Sequence, residues 1–225
     1  PQLASVQAPH TPANSWRFER AAGRFELILT PLPLPDFTAQ AQATLAQFDA
    51  NKNGYLDPQD LIAAFSDGKD DDHNGFVDDI CGWDFMWDDN DPMEDTENGG
   101  HGGQGESHGT GEAKDSSGEV NNGVQGEGVC PRCLVMPVRV GDSYTCDTNQ
   151  FALATYYSVN QGAAVIQEAL GALTNPKLAQ DAVDYAYAHN VLVVASAADE
   201  TSMHHNYPAN LEHTLVVHAV VYDDD

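Results

Sequence analysis

The 225-residue chain sets 35 aspartates and glutamates against nine lysines and arginines, a formal net charge of −26. That balance excludes a nucleic-acid-binding face, which needs clustered cations to neutralise phosphates, and no apolar run approaches the ~20 residues that span a bilayer. The length is enough for one domain of ordinary size plus an appendage, and hydrophobic residues, 41% of the chain and slightly below the usual globular range, allow a modest core.

Most of the carboxylates are expected to form a solvated surface; an excess this large repels itself unless the salt is high or cations such as calcium bind. The chain opens on Pro1 and closes on "YDDD". Both ends are expected to be cuts through a longer protein, so missing targeting signals say nothing about destination. Four cysteines occur, Cys81, Cys130, Cys133 and Cys146, with "CPRC" a C-x-x-C. Disulfides are the favoured reading, because calcium-type acidic loops suggest an oxidising exterior, and a zinc site or free thiols are the alternatives. Spacing alone does not decide the pairing.

Residues 1–36 carry little structural signal: "RFELILTP" suits a short strand and the prolines of "PLPLPDF" keep it extended. Residues 37–66 suggest a helix–loop–helix. "TAQAQATLAQF" is rich in helix formers with Thr38 as N-cap, and "PQDLIAAF" opens a second helix with Pro58 in its first turn. Residues 67–129 are mostly Asp, Gly, Asn, Glu and Ser, the composition of a disordered linker but for Trp83, Phe85 and Trp87.

From Cys130 onward the texture changes. "LVMPVRV" (134–140), "AAVIQEAL" (163–170), "VLVVASA" (191–197) and "TLVVHAVV" (214–221) are apolar runs of buried-strand length. Helical segments, "TNQFALATYYSVNQG" and "PKLAQDAVDYAYAHN", separate the first three. Strands alternating with such helices imply βαβ crossovers. The expected fold class of the C-terminal half is therefore α/β with a parallel β-sheet.

"DANKNGYLDPQD" (49–60) has the spacing of an EF-hand-type loop. Oxygens for Ca²⁺ would come from Asp49, Asn51, Asn53, the backbone of Tyr55, and Asp60 at the twelfth position, with Gly54 at the sharp turn. A hard ion taking six to eight oxygens explains alternating Asp and Asn; an acidic turn without metal is the alternative. "DDDHNGFVDD" (70–79) repeats the opening with Asp70, Asp72, Asn74 and Gly75, but its twelfth position is Cys81, which supplies no oxygen. An Asx-rich turn competes with calcium there.

"DDDHNGFVDDICGWDFMWDDNDPMED" followed by "HGT", "GAAVIQEALG", "VLVVASAADE" and "YPAN" resembles the subtilisin-like serine proteases over about residues 67–221. Each motif alone is soft; the five occur in the family's order, and the resemblance implies a parallel β-sheet with helices on both faces over 67–225, loops up to 129 and a βαβ core from 130. The resemblance places His108 on the catalytic histidine, the base that takes a serine proton and returns it to the leaving amine. His101-Gly102 mimics the same motif without its threonine. It places Ala169, Leu170 and Gly171 along the substrate cleft, where an extended peptide pairs with backbone groups; the plainer reading makes Ala169 and Leu170 the end of a core strand.

Asp199 falls on the family's oxyanion asparagine, a donor worth about 10²–10³ in rate in subtilisin. An ionised aspartate accepts and does not donate. No D-T-G or D-S-G step precedes His108 and no G-T-S-x-[AS] follows it, whereas the family order is Asp, His, Ser. The reading implied is a secreted, calcium-dependent subtilisin-like endopeptidase acting on peptides or proteins, with this stretch inert by itself. The alternative is a non-catalytic calcium-binding module on a degenerate scaffold of the same family.

Overall fold

The structure is a computed structural model that describes residues 16–19, 24–27, 32–33, 42–43, 46–50, 52, 55–56, 58–92, 108–118, 120, 127–141, 147–198 and 205–220. The chain divides into two compact units, Pro1–Met93 with Gly109–Pro137, and Glu94–His108 with Val138–Asp225.

In the first unit, β1 (Trp16–Glu19) and β2 (Arg24–Leu27) form an antiparallel pair with Phe18 opposite Phe25. The strand expected in "RFELILTP" is β2. β3 (Leu32–Pro33) pairs antiparallel with β4 (Tyr55–Leu56), which lies inside the 49–60 loop. α1 (Pro58–Phe65) begins at Pro58, whose fixed φ and missing N–H suit the first helical position. It buries Leu61 beside Cys81, and Ile62, Phe65 and Ile80 pack around them. Burying one leucine side chain contributes about 2 kcal/mol.

The Asp/Gly-rich stretch after α1 is ordered from 66 to 92, contrary to its linker-like composition. Asp78 accepts from the amides of Asp67 and Gly68 at 2.9 and 2.8 Å. Phe76 meets Trp83 and Phe85 edge-on, with ring centroids 5.0 and 5.6 Å apart. Trp83 sits in β5 (Trp83–Asp84), and the wholly buried Asp84 accepts from the Met86 and Trp87 amides. Aromatic packing and carboxylates aimed at backbone N–H groups hold a segment that average hydrophobicity assigns to solvent. α2 (His108–Ser117) follows.

The second unit carries the α/β core. After β6 (Val138–Arg139) come α3 (Thr148–Asn160), β7 (Val165–Glu168), α4 (Lys177–Ala188), β8 (Leu192–Ser196) and β9 (Thr214–Val217). β7, β8 and β9 form a parallel sheet with β8 central, Ile166 opposite Val193 and Val193 opposite Thr214. Asp147 caps α3, accepting from the Asn149 amide at 2.8 Å. α4 buries Ala179, Ala182, Val183 and Ala186 along one stripe. That stripe joins Phe151 and Val159 of α3 and Val193 of β8 in a single core. The opposite sheet face carries Val165, Leu192, Leu215 and Val217, each about half exposed.

"LVMPVRV" yields only the two residues of β6, because Pro137 has no N–H to give a ladder.

Candidate functional site

His108 is the first residue of α2, and it and the next two residues are exposed to solvent. The helix forms although "HGTGEAKDSS" holds two glycines and no apolar stripe. Its C-terminal carbonyls are met from outside the helix: Val129 donates to Asp115 O at 3.0 Å and Cys130 to Ser116 O at 2.8 Å. Its exposure leaves the His108 ring within reach of a bound molecule.

The second cluster lies at the C-terminal ends of β7 and β8. β7 ends at Glu168, followed by Ala169, Leu170 and Gly171, all half-buried. Gly171 lies so close to Asn206 that a Cβ there would sit 2.1 Å from Asn206 Oδ1. Asn206 is buried and donates from Nδ2 to the Ser196 carbonyl, the last of β8, at 3.0 Å. Next to it, Ala172 and Tyr207 exchange backbone bonds of 2.8 and 3.0 Å. The peptide between Tyr207 and Pro208 is cis. The "YPAN" segment is thus tied to both strand ends.

Glu168 is 8% exposed. Its Oε2 accepts from the Leu170 amide at 3.1 Å, and its buried Oε1 has no hydrogen-bond partner among the described residues. Burial pushes the carboxyl up to about 8, against the opposing pull of the Leu170 amide. Beyond β8, Ala198 takes a left-handed φ of 65° and donates to Ser196 Oγ at 3.1 Å. The sequence reading did not single out Glu168 or Asn206. A glutamate inside the apolar run "AAVIQEAL" was the available signal for the first; Asn206 offered none, since its partners are far away in sequence.

Of the 49–60 loop, the structure describes both ends. Asp60 is buried to 1% exposure within α1, and its Oδ1 accepts from the Ala50 amide at 2.7 Å, so it turns back onto the loop's start. Asp49 is half-buried. Asn51, Asn53, Gly54 and the Tyr55 side chain lie outside the described residues, as do His101 and Asp199.

The 70–79 loop is satisfied internally. Asp70 accepts from Asn74 and Gly75 amides at 3.0 and 2.9 Å. Asn74 Nδ2 donates to Asp72 and Asp79 at 3.0 and 2.9 Å, while its Oδ1 accepts from the Phe76 amide. Asn74 therefore presents nitrogen, not oxygen, to the two carboxylates, an arrangement of Asx turns that does not fit a calcium ligand set as it stands. Burial, then the Asp79 charge, raises the Asp72 carboxyl above its ordinary value. Among the described residues no three or more His, Cys, Asp or Glu side chains are grouped to hold a metal ion.

Cys130 and Cys133 form a disulfide, Cα to Cα 5.4 Å, and Cys81 is buried. Cys146 lies outside the described residues. No helix among the described residues is long and apolar enough to cross a membrane.

The chain is 31% identical over 147 residues to thermitase of Thermoactinomyces vulgaris, an alignment spanning 65% of this chain and 49% of thermitase. It is 33% identical over 142 residues to the thermophilic serine proteinase of Bacillus sp. (strain AK1), spanning 63% and 33% of the two chains. This chain therefore covers half or less of the length of these relatives. Among solved structures, sphericase overlays with a TM-score of 0.45 at 26% identity, covering 50% of this chain and 40% of that one. The sequence signature of the subtilase family matches residues 50–224, and the chain belongs to that family.

Proposed function

We propose that this chain is the histidine-bearing part of a secreted, calcium-dependent subtilisin-like serine endopeptidase, inert by itself. The observation that carries the reading is His108: an exposed imidazole opening α2 within "HGT", inside the stretch that matches the subtilase family. In the complete enzyme His108 takes the proton of a serine hydroxyl as its oxygen bonds to the scissile carbonyl carbon. It then protonates the departing amine, and water in turn releases the acyl group. The serine and the orienting aspartate are not identified in this sequence, and Asp199 stands in place of an oxyanion donor.

Ala169, Leu170 and Gly171 line the cleft for a peptide substrate. The amides of Leu170 and Ala172 bond to Glu168 and Tyr207. In an extended backbone the groups of residues 169 and 171 point the other way, where a substrate strand pairs. Calcium, when bound, supplies a fixed positive charge that ties acidic loop segments together and adds stability by linkage. Asp49, Asn51, Asn53, the Tyr55 carbonyl and Asp60 would hold it. The support is Asp60, buried and aimed at the loop's first turn. Asp70 and Asp72 offer carboxylate oxygens for a second site, which Asn74 joins through its oxygen once its amide rotates. Secretion is supported by the disulfide, which persists in oxidising compartments.

A serine-directed fluorophosphonate applied to a longer form of the protein that carries a G-T-S-x-[AS] segment tests the assignment: covalent labelling lost in His108→Ala is expected. The second reading, a non-catalytic calcium-binding module on this scaffold, is favoured by the carboxylate at Asp199. It predicts no labelling in any longer form.

A further inference from the structure

The sequence of α2 does not make a stable helix alone. It has ten residues, fewer than the ~12–15 an isolated helix needs, and each of Gly109 and Gly111 costs about 1 kcal/mol relative to alanine. Its polar faces bury little: Ser117 is its buried residue. What holds its C-terminal end is the segment that follows. Gly128 donates to Gly118 O at 2.9 Å, and the Val129 and Cys130 amides reach the Asp115 and Ser116 carbonyls. The approach is so close that a Cβ on Gly128 would lie 2.2 Å from the Gly118 nitrogen. The turn right after these amides is closed twice, by Cys133 N to Cys130 O at 2.9 Å and by the Cys130–Cys133 disulfide. Both cysteines are exposed, and Arg132 between them is an exposed cation in a chain of net charge −26.

We propose that Cys130–Cys133 is a thiol-exchange site, a reducible clasp whose state controls how firmly the 128–130 segment caps α2. The reactant is a dithiol, either a small molecule or a dithiol reductase. Its thiolate attacks one cysteine sulfur and the Sγ–Sγ bond breaks, its electron pair leaving on the other cysteine, which takes up a proton. The reductant's second thiol then displaces the first cysteine, closing the reductant's own disulfide. Two electrons and two protons thereby end on Cys130 and Cys133. Exposure admits the attack, and the Arg132 guanidinium favours approach of a thiolate. Losing a four-residue ring shifts the opening equilibrium of the segment by roughly 20-fold by the loop-closure relation. This inference is independent of the proteolytic reading.

The test is hydrogen exchange on the intact chain with and without millimolar dithiothreitol, combined with peptide-resolved alkylation. Reduction without denaturant should label Cys130 and Cys133 and speed exchange at 115–118 and 128–130 about tenfold or more. Peptides from α4 and β8 should not change, and removing the dithiol under air should restore slow exchange. C130S/C133S should exchange fast throughout and ignore the dithiol. A disulfide that stays closed until the chain unfolds, exchange unaltered by reduction, or a C130S/C133S protein that still responds to dithiothreitol would each overturn the proposal.

Discussion

Replacing Glu168 with glutamine isolates the effect of one buried carboxyl on stability. Burial lifts this group from 4.5 to about 8, so the folded chain keeps a proton that the unfolded chain releases. The sign follows from linkage: a raised pKa gives stability that is fully present below 4.5 and lost as pH rises through about 8. A shift of that size, at about 1.36 kcal/mol per unit, corresponds to about 5 kcal/mol lost across the window. Glutamine keeps the shape and still accepts from the Leu170 amide. Its buried NH₂ takes the place of Oε1, unpartnered among the described residues, and costs about 1–3 kcal/mol at every pH. Urea unfolding followed by far-UV circular dichroism, run on both proteins from pH 5 to pH 8, gives the comparison. Other titrating groups cancel in the difference. The wild-type advantage at pH 5 should shrink by about 1.4 kcal/mol per pH unit and reverse by pH 8. A difference that stays constant with pH refutes the reasoning, because it means Glu168 ionises alike in both states.

Gly171→Ala should lower stability by about 1–3 kcal/mol, because its Cβ meets Asn206 Oδ1 and breaks the bond to Ser196. In an Asn206→Ala background the same change should cost measurably less, and equal costs would show that the two residues do not interact. Ala198→Gly should raise stability by about 0.5–1 kcal/mol by relieving a left-handed φ of 65°; a lower melting temperature contradicts this. Calcium at about 100 times its dissociation constant should add about 2.7 kcal/mol over a chelated sample. Asp60→Asn should reduce that gain, and a melting curve indifferent to chelator counts against the 49–60 site.

The α/β core was legible because its signals are local. The apolar runs at 163–170, 191–197 and 214–221 contain β7, β8 and β9, and the helical segments at 148–162 and 176–190 became α3 and α4. A run of branched residues flanked by helix formers constrains both period and length. What stayed hidden depends on residues distant in sequence. Nothing near Asn206 announces that Gly171 leaves room for its side chain, and nothing in "HGTGEAKDSS" announces that the amides of 128–130 will cap it. The 67–92 stretch misled for a different reason. Its order comes from three aromatic rings and a few carboxylates turned onto backbone amides, which composition averages away. The cysteine spacing left disulfide and zinc open, and the 130–133 bond settles one pair. Motif order pointed to His108 and the 169–171 segment as candidates, while the buried carboxyl of Glu168 beside that segment was passed over as part of an apolar strand.

Whether His108 is the general base of a serine endopeptidase is tested most directly by fluorophosphonate labelling of this 225-residue chain and of a longer form that carries a G-T-S-x-[AS] segment, each with and without His108→Ala. The short chain should stay unlabelled, and labelling of the longer form should depend on His108. Labelling of the short chain, or labelling of the longer form that survives His108→Ala, would contradict this assignment.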